Sequence, residues 1–338
     1  MAQATNLYPS QNVGVWIQAE SNVGAEPDDA GLTKLQATSF TIPEASVPAV
    51  FSSPKSGQFT QTQNMGRHEE GTKLWTFQTT LKGTPTSILT ATGAVFESAS
   101  SEAVLNNDYS FPHTLYVNNA SSAKTYDIRF VNAGADSAVE TIECAGCIGT
   151  GFTLSQDIGS ENGDMVCVID WATAFYPEHS GTDITSPAYD TATPKNIREL
   201  NSAATGINGG SLEELVIQSW ELSVSRTIER VVYKDITSGT FAPFGYAMTG
   251  PFEVTGSLTC IRNNDVHDLL EKFRDSAVVD VNIQNSTAGE LTIALDKCFI
   301  NEPTVDTGGA VLMQTIPFTV VGANDVSSTT KMLGITIS

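Results

Sequence analysis

Five cysteines and four histidines are the residues of this chain best suited to metal or redox chemistry. Their spacing argues against both. Cys144-Ala-Gly-Cys147 has the separation of a redox pair or half a zinc site, but no second pair follows, and it lies in an alternating strand pattern instead of at a helix start. His68, His113, His179 and His267 are far apart, with no His or Cys at ligand spacing, so no metal site is expected. Gly146-Cys-Ile-Gly-Thr-Gly151 has the glycines of a phosphate loop without its Lys or following helix, and is expected to be a bulge or tight turn. There is no Gly-x-Ser-x-Gly elbow. Glu69-Glu70 and Glu213-Glu214 are adjacent, which on a strand sends the two carboxylates to opposite faces, so neither is an acid/base dyad. Asn119-Ala-Ser121 and Asn285-Ser-Thr287 fit the glycosylation pattern but are expected to be hairpin residues, because no secretory signal precedes them. No enzyme and no cofactor are expected.

The elements that would position any site are strands. Residues 253–321 read strand, helix, strand, strand, hairpin, strand. Glu253-Val-Thr-Gly-Ser-Leu-Thr-Cys-Ile261 alternates and is rich in β-branched residues. Asn263-Asn-Asp265 can cap a short helix whose apolar stripe is Val266, Leu269, Leu270 and Phe273. Val278-Val-Asp-Val-Asn-Ile283 and Leu291-Thr-Ile-Ala-Leu295 follow, and then a longer strand over 311–321.

The same order occurs earlier. Trp75-Thr-Phe-Gln-Thr-Thr-Leu81 can be laid on residues 253–259, with 86–96 in the helix slot. Tyr126-Asp-Ile-Arg-Phe-Val-Asn132 lies on residues 279–285, Cys147 falls on Cys298, and Met165-Val-Cys-Val-Ile-Asp-Trp171 repeats the last strand. Upstream, Leu35-Gln-Ala-Thr-Ser-Phe-Thr-Ile42 matches Leu215-Val-Ile-Gln-Ser-Trp-Glu-Leu222. An internal duplication follows: an N-terminal arm over 1–34 that docks on a neighbour, a first domain over 35–176 with an insertion near 99–122, a linker over 177–211, and a second domain over 212–338. The C-terminal run Lys331-Met-Leu-Gly-Ile-Thr-Ile337 reads as a last strand or as a tail that adds to a neighbour's sheet.

Composition sets the surroundings. The chain has 338 residues, 40% hydrophobic and only 16% charged, which is enough for two cores under a surface of Thr, Ser, Asn and Gln. Thirty-eight acidic residues against 17 basic ones leave a net charge of −21, which repels phosphate backbones. Nothing near the N-terminus reads as a signal peptide, and no run approaches the roughly eighteen apolar residues of a membrane span, so folding in a cytoplasm with reduced cysteines is expected. Two polar, glycine-bearing segments, 60–73 and 242–251, read as long functional loops. The second carries apolar residues that a solvent-facing loop would not need.

Several stretches of the second half resemble the tail tube (major tail) proteins of long-tailed bacteriophages. They are Trp220-Glu-Leu-Ser-Val-Ser225, Gly250-Pro-Phe-Glu-Val-Thr-Gly-Ser-Leu258, the helix ending Leu270-Glu-Lys-Phe273, and Ile316-Pro-Phe-Thr-Val-Val321. The resemblance covers 212–338 well and 35–176 more loosely. It implies a mainly β chain of two tandem β-sandwich or half-barrel domains, each with one short flanking helix. Some members carry two such domains and form three-subunit rings of pseudo-sixfold symmetry, which stack into a tube. The implied partners are further copies of the chain, other tail proteins at the tube ends, and DNA that passes without specific binding, with no membrane. The implied location is the virion tail, assembled in the host cytoplasm. Loops joining early strands contact the adjacent ring, which makes Arg67, His68, Glu69, Phe244, Tyr246 and Met248 the candidates for ring stacking. A carbohydrate-binding or adhesive β-sandwich of a virion or cell surface is the other reading; it should expose clustered aromatics, whereas Trp16, Trp75, Trp171 and Trp220 mostly alternate with strand residues.

Overall fold

The computed structural model describes residues 13–21, 23–24, 31–43, 49–51, 66–68, 74–96, 102–106, 116–118, 125–133, 139–180, 184, 188–201, 205–207, 215–234, 241–263, 266, 273–276, 278–285, 290–322 and 331–337. The chain is mainly β. In order, the strands are β1 (Val13–Ala19), β2 (Thr33–Lys34), β3 (Ala37–Phe40), β4 (Ala49–Phe51), β5 (Gly66–His68) and β6 (Trp75–Lys82). Helix α1 (Pro85–Phe96) comes next, and then β7 (Glu102–Asn106), β8 (Tyr116–Asn118), β9 (Tyr126–Ala133), the long β10 (Val139–Asp157), β11 (Val166–Thr173) and β12 (Glu178–Ser180). After β13 (Ala188–Tyr189) and β14 (Gly206–Ile207) come β15 (Ile217–Ser225), β16 (Ile228–Lys234), β17 (Phe241–Met248), β18 (Glu253–Ile261) and β19 (Val278–Asn285). β20 (Leu291–Ile300), β21 (Thr304–Asp306), β22 (Met313–Val320) and β23 (Lys331–Ile337) complete the series.

Most of these strands join one continuous barrel-shaped sheet. Its principal wall runs β3–β6–β11–β10–β15–β18–β22–β20–β19, every neighbour antiparallel. The alternation read from the sequence sets its two faces. Leu81, Cys167, Leu154, Leu222, Phe318 and Ile300 lie on one inward row and are buried. Gly256 completes that row between Leu222 and Phe318, and a Cβ there would lie 2.4 Å from Phe318 Cζ and 2.6 Å from Glu221 O, so the close approach requires glycine. A single core cluster runs from Val15 to Ile337 through both halves.

The pairing pattern occurs twice. β1–β9–β10–β12 is repeated as β14–β19–β20–β23, and β3–β6–β11–β10 as β15–β18–β22–β20. Registers repeat as well. Tyr126 opposes Cys147 as Val279 opposes Cys298, which is the alignment read from the sequence. Trp171 opposes Gly149 as Phe318 opposes Ile300. One strand corrects the sequence alignment by a single residue. Ala37 opposes Leu81 and Ile217 opposes Cys260, each next to a bulge, so Leu81 corresponds to Cys260 and Trp75 to buried Val254 instead of exposed Glu253. A slip of one would have turned every side chain to the wrong face.

Segments expected outside the two repeats contain strands that pair within the chain. Of the arm expected over 1–34, residues 13–19 form β1, which pairs along β9 of the same chain, and 1–12, 22 and 25–30 lie outside the described residues. The expected linker begins with β12 on β10, continues with β13 parallel to β2, and ends with β14 on β19. Between them Lys195 N–H donates to Gly83 O and Asn285 Nδ2 donates to Asn196 O, which ties the segment to both halves. β23 pairs with β20 and β7, so the C-terminal run is a strand of this chain's own sheet. The expected insertion supplies β7 to β23 and β8 to β17.

α1 fills the expected helix slot. Pro85 starts it, Thr84 Oγ1 accepts from Ser87 N–H at 3.1 Å as the cap, and small residues let it bury most of its surface. Near its end Arg226, from the second half, donates to Ala94 O at 3.1 Å and to Gly149 O at 3.0 Å, a favourable place for a cation. At the corresponding place in the second half, Val266 is helical and buried and its N–H is capped by Asn263 Oδ1; Phe273 and Arg274 are helical, and 267–272 lie outside the described residues.

Candidate functional site

The outward face of the principal wall carries rows of polar side chains. One row crosses it from Ser39 through Thr80, Val168, Thr153, Ser223 and Thr255 to Thr319 and Phe299. Another runs from Asp157 through Ser219, Thr259 and Thr315 to Thr304. The hydroxyls bond along these rows: Thr153 Oγ1 to Ser223 Oγ at 3.3 Å, Thr259 Oγ1 with Thr315 Oγ1 at 3.1 Å. Such cross-strand pairs help to fix the face. Its charges include Asp157, Asp170, Glu221, Glu253, Asp280 and Asp296 against Lys297 and Lys82, the ammonium of Lys82 lying 3.5 Å from Asp164. Asp170 Oδ1 accepts from Gln78 Nε2 at 2.8 Å, in a shallow depression of about 470 Å³ that Thr41, Thr76 and Thr150 also line.

On the opposite layer lies a buried charge cluster. Glu20 accepts from Gly146 N–H at 2.6 Å, Thr125 Oγ1 at 2.6 Å and Gly24 N–H at 2.9 Å. Asp127 Oδ2 accepts from Arg129 Nε at 2.7 Å, and Arg129 Nη2 lies 2.9 Å from Glu143 Oε1. Burial raises the Asp127 carboxyl to about 7; the Arg129 guanidinium opposes this and Glu143 adds to it. Burial also raises Glu20, against its hydrogen bonds from Gly146, Thr125 and Gly24. This arrangement holds the Cys144–Cys147 bulge, where Gly146 takes the left-handed φ of 63°.

The residues expected for ring stacking are placed as follows. Arg67 and His68 lie on β5, the second strand of a hairpin with β4, and Glu69 lies outside the described residues. The loop expected over 242–251 is instead mostly strand β17, which carries Phe244, Tyr246 and Met248. Tyr246 is 1% exposed: its hydroxyl donates to Gly146 O and accepts from Ala174 N–H at 3.0 Å, so the side chain serves a contact inside the chain. Met248 is half-buried. The polar face itself was not singled out in the sequence, although its signal is there in the Ser, Thr and acidic residues at alternate positions of Glu253-Val-Thr-Gly-Ser-Leu-Thr.

The thiols of Cys144, Cys147, Cys167, Cys260 and Cys298 are all free and buried. Among the described residues no group of His, Cys, Asp and Glu is placed to hold a metal ion, and no helix is long and apolar enough to cross a membrane. No family model and no curated protein matches the chain.

Proposed function

We propose that this chain is a structural virion protein, the tail-tube subunit of a long-tailed bacteriophage, and that its outward polar face lines the conduit for DNA. Each repeat then acts as one β-sandwich or half-barrel tube domain, three chains form a ring of pseudo-sixfold symmetry, and rings stack into the tail, where other tail proteins meet the tube ends. The observation that carries this reading is the face itself: a wall of nine strands with cross-strand hydroxyl rows, whose described charges include Asp157, Asp170, Glu221, Glu253, Asp280 and Asp296 against Lys82 and Lys297. A passage for DNA must not hold it. Lysine or arginine lining would release counterions and bind phosphate, and carboxylates avoid that affinity.

The hairpins β4–β5 and β16–β17, equivalent in the two repeats, are the stacking elements in this reading, with Met248 retained as a candidate and Tyr246 assigned to the fold. The four tryptophans are buried in this chain, so they provide no platform for stacking sugars. Negative-stain microscopy of the purified protein tests the proposal. Hollow tubes with threefold rings are expected; a protein that stays monomeric at high concentration, or sixfold density with a whole chain in each slot, would overturn it.

A further inference from the structure

The two repeats meet where the end of β10 lies along β15. Leu154 opposes Leu222 there, both fully buried. Gln156 opposes Trp220, whose indole N–H donates to Gln156 Oε1 at 2.7 Å. Each side of this junction has a counterpart on a strand that has one paired neighbour among the described residues. β21 is the counterpart of the end of β10: Val305 opposes Gln314 on β22 as Leu154 opposes Cys167 on β11, and Gln314 opposes Cys260 as Cys167 opposes Leu81. β3 is the counterpart of β15: Phe40 opposes Thr79 as Trp220 opposes Leu258, which sets Ile42 where Leu222 stands. Ile42 and Val305, the counterparts of a buried leucine pair, are 40% and 42% exposed.

The backbones agree. Thr41 N–H donates to Gln78 O at 2.9 Å, so the antiparallel alternation turns Phe40 and Ile42 away from β6. Arg262 N–H donates to Leu312 O at 2.9 Å, so Met313 and Thr315 bond toward β21, their partners Thr304 and Asp306 turn inward, and Val305 turns out. Pro43 takes the place of Ser223. At the internal junction Arg226 N–H reaches Thr150 O and Ile158 N–H reaches Gln218 O, which leaves Ser223 in a non-hydrogen-bonded pair where a missing N–H costs nothing.

We propose that copies of this chain join head to tail by antiparallel pairing of residues 304–307 of one copy with residues 40–43 of the next, Val305 opposite Ile42 and Asp306 opposite Thr41. The contact repeats the internal junction, so the polar face continues unbroken from chain to chain, and both exposed edges are covered. The inference deepens the tube reading by naming its lateral contact, and rests on that reading only for the ring's closure.

Disulfide trapping tests it. Thr41 and Asp306 form a non-hydrogen-bonded pair in this register, with Cα atoms about 4.5 Å apart, within disulfide reach, and the five native thiols are buried. Oxidised Thr41→Cys/Asp306→Cys protein should run as a covalent ladder on a non-reducing gel. Thr41→Cys/Thr304→Cys, two residues out of register, should crosslink at least about tenfold less. Independently of cysteines, Val305→Lys should give a folded monomer, and adding Ile42→Asp should restore association. Equal crosslinking in both registers, no ladder from folded protein, or unchanged association of Val305→Lys would each overturn the contact. Tubes seen without the crosslink would remove this contact and keep the tube, whereas crosslinked rings that never stack would do the reverse.

Discussion

Cys147 and Cys298 occupy one position in two copies of a single pattern. Each opposes the first or second residue of its partner strand beside a register shift, and each thiol points to the carbonyl three residues back, Cys147 Sγ to Cys144 O at 3.0 Å and Cys298 Sγ to Leu295 O at 4.0 Å. The bulge explains why Cys144 and Cys147 are both buried although residues three apart on a regular strand face opposite ways. Burial pushes both thiols up and removes the reactive thiolate. A thiol reagent at neutral pH should find essentially none in the folded protein and five after denaturation without reductant. A denatured count of three would mean a disulfide.

Asp127 predicts an unusual pH dependence. Its carboxyl is raised from 3.8 to about 7, so the folded state binds the proton more tightly than the unfolded chain. Its contribution to stability therefore falls as pH rises through that interval, by on the order of 2–4 kcal/mol. Asp127→Asn should remove this part, and its stability relative to the unaltered protein should improve between pH 4 and pH 8. Urea melts across that range measure it, and a difference independent of pH would contradict the assignment.

Gly256 is fixed by Phe318 Cζ and by Glu221 O. Gly256→Ala should cost about 1–3 kcal/mol. Combining it with Phe318→Leu should relieve only the ring contact, leaving the backbone contact in place, so rescue should be partial. Full rescue in a denaturant melt would show that the carbonyl moves freely.

Tyr246→Phe removes two hydrogen bonds and leaves Gly146 O and Ala174 N–H without that partner. A loss of about 1–3 kcal/mol is expected, with faster amide exchange at Ala174. An unchanged melting midpoint would show that the hydroxyl contributes nothing.

Strand-rich character, the helix slot and the repeat were legible because alternation is local: Val279, Val281 and Ile283 declare their buried face without reference to any partner. Residues 242–248 were misread as a loop because Pro243 and Gly245 break the local pattern, while Tyr246 is held by Gly146, a hundred residues earlier. The same limit hid β1 and the segment around β12–β14, whose partners lie far away in sequence. The polar face escaped notice because its meaning lies in rows across strands: Thr153 beside Ser223 is invisible until β10 is placed against β15.

The β10–β15 junction also bears on how fast an assembly can grow. In any ring of this chain, every second contact between repeats is formed by folding, at the effective concentration that a covalent connection provides, on the order of millimolar. Only the alternate contacts wait for collisions between molecules. A ring of given size then needs fewer than half as many encounters as one built from single repeats, its rate depends on a lower power of protein concentration, and half-assembled arcs with an odd number of repeats never form.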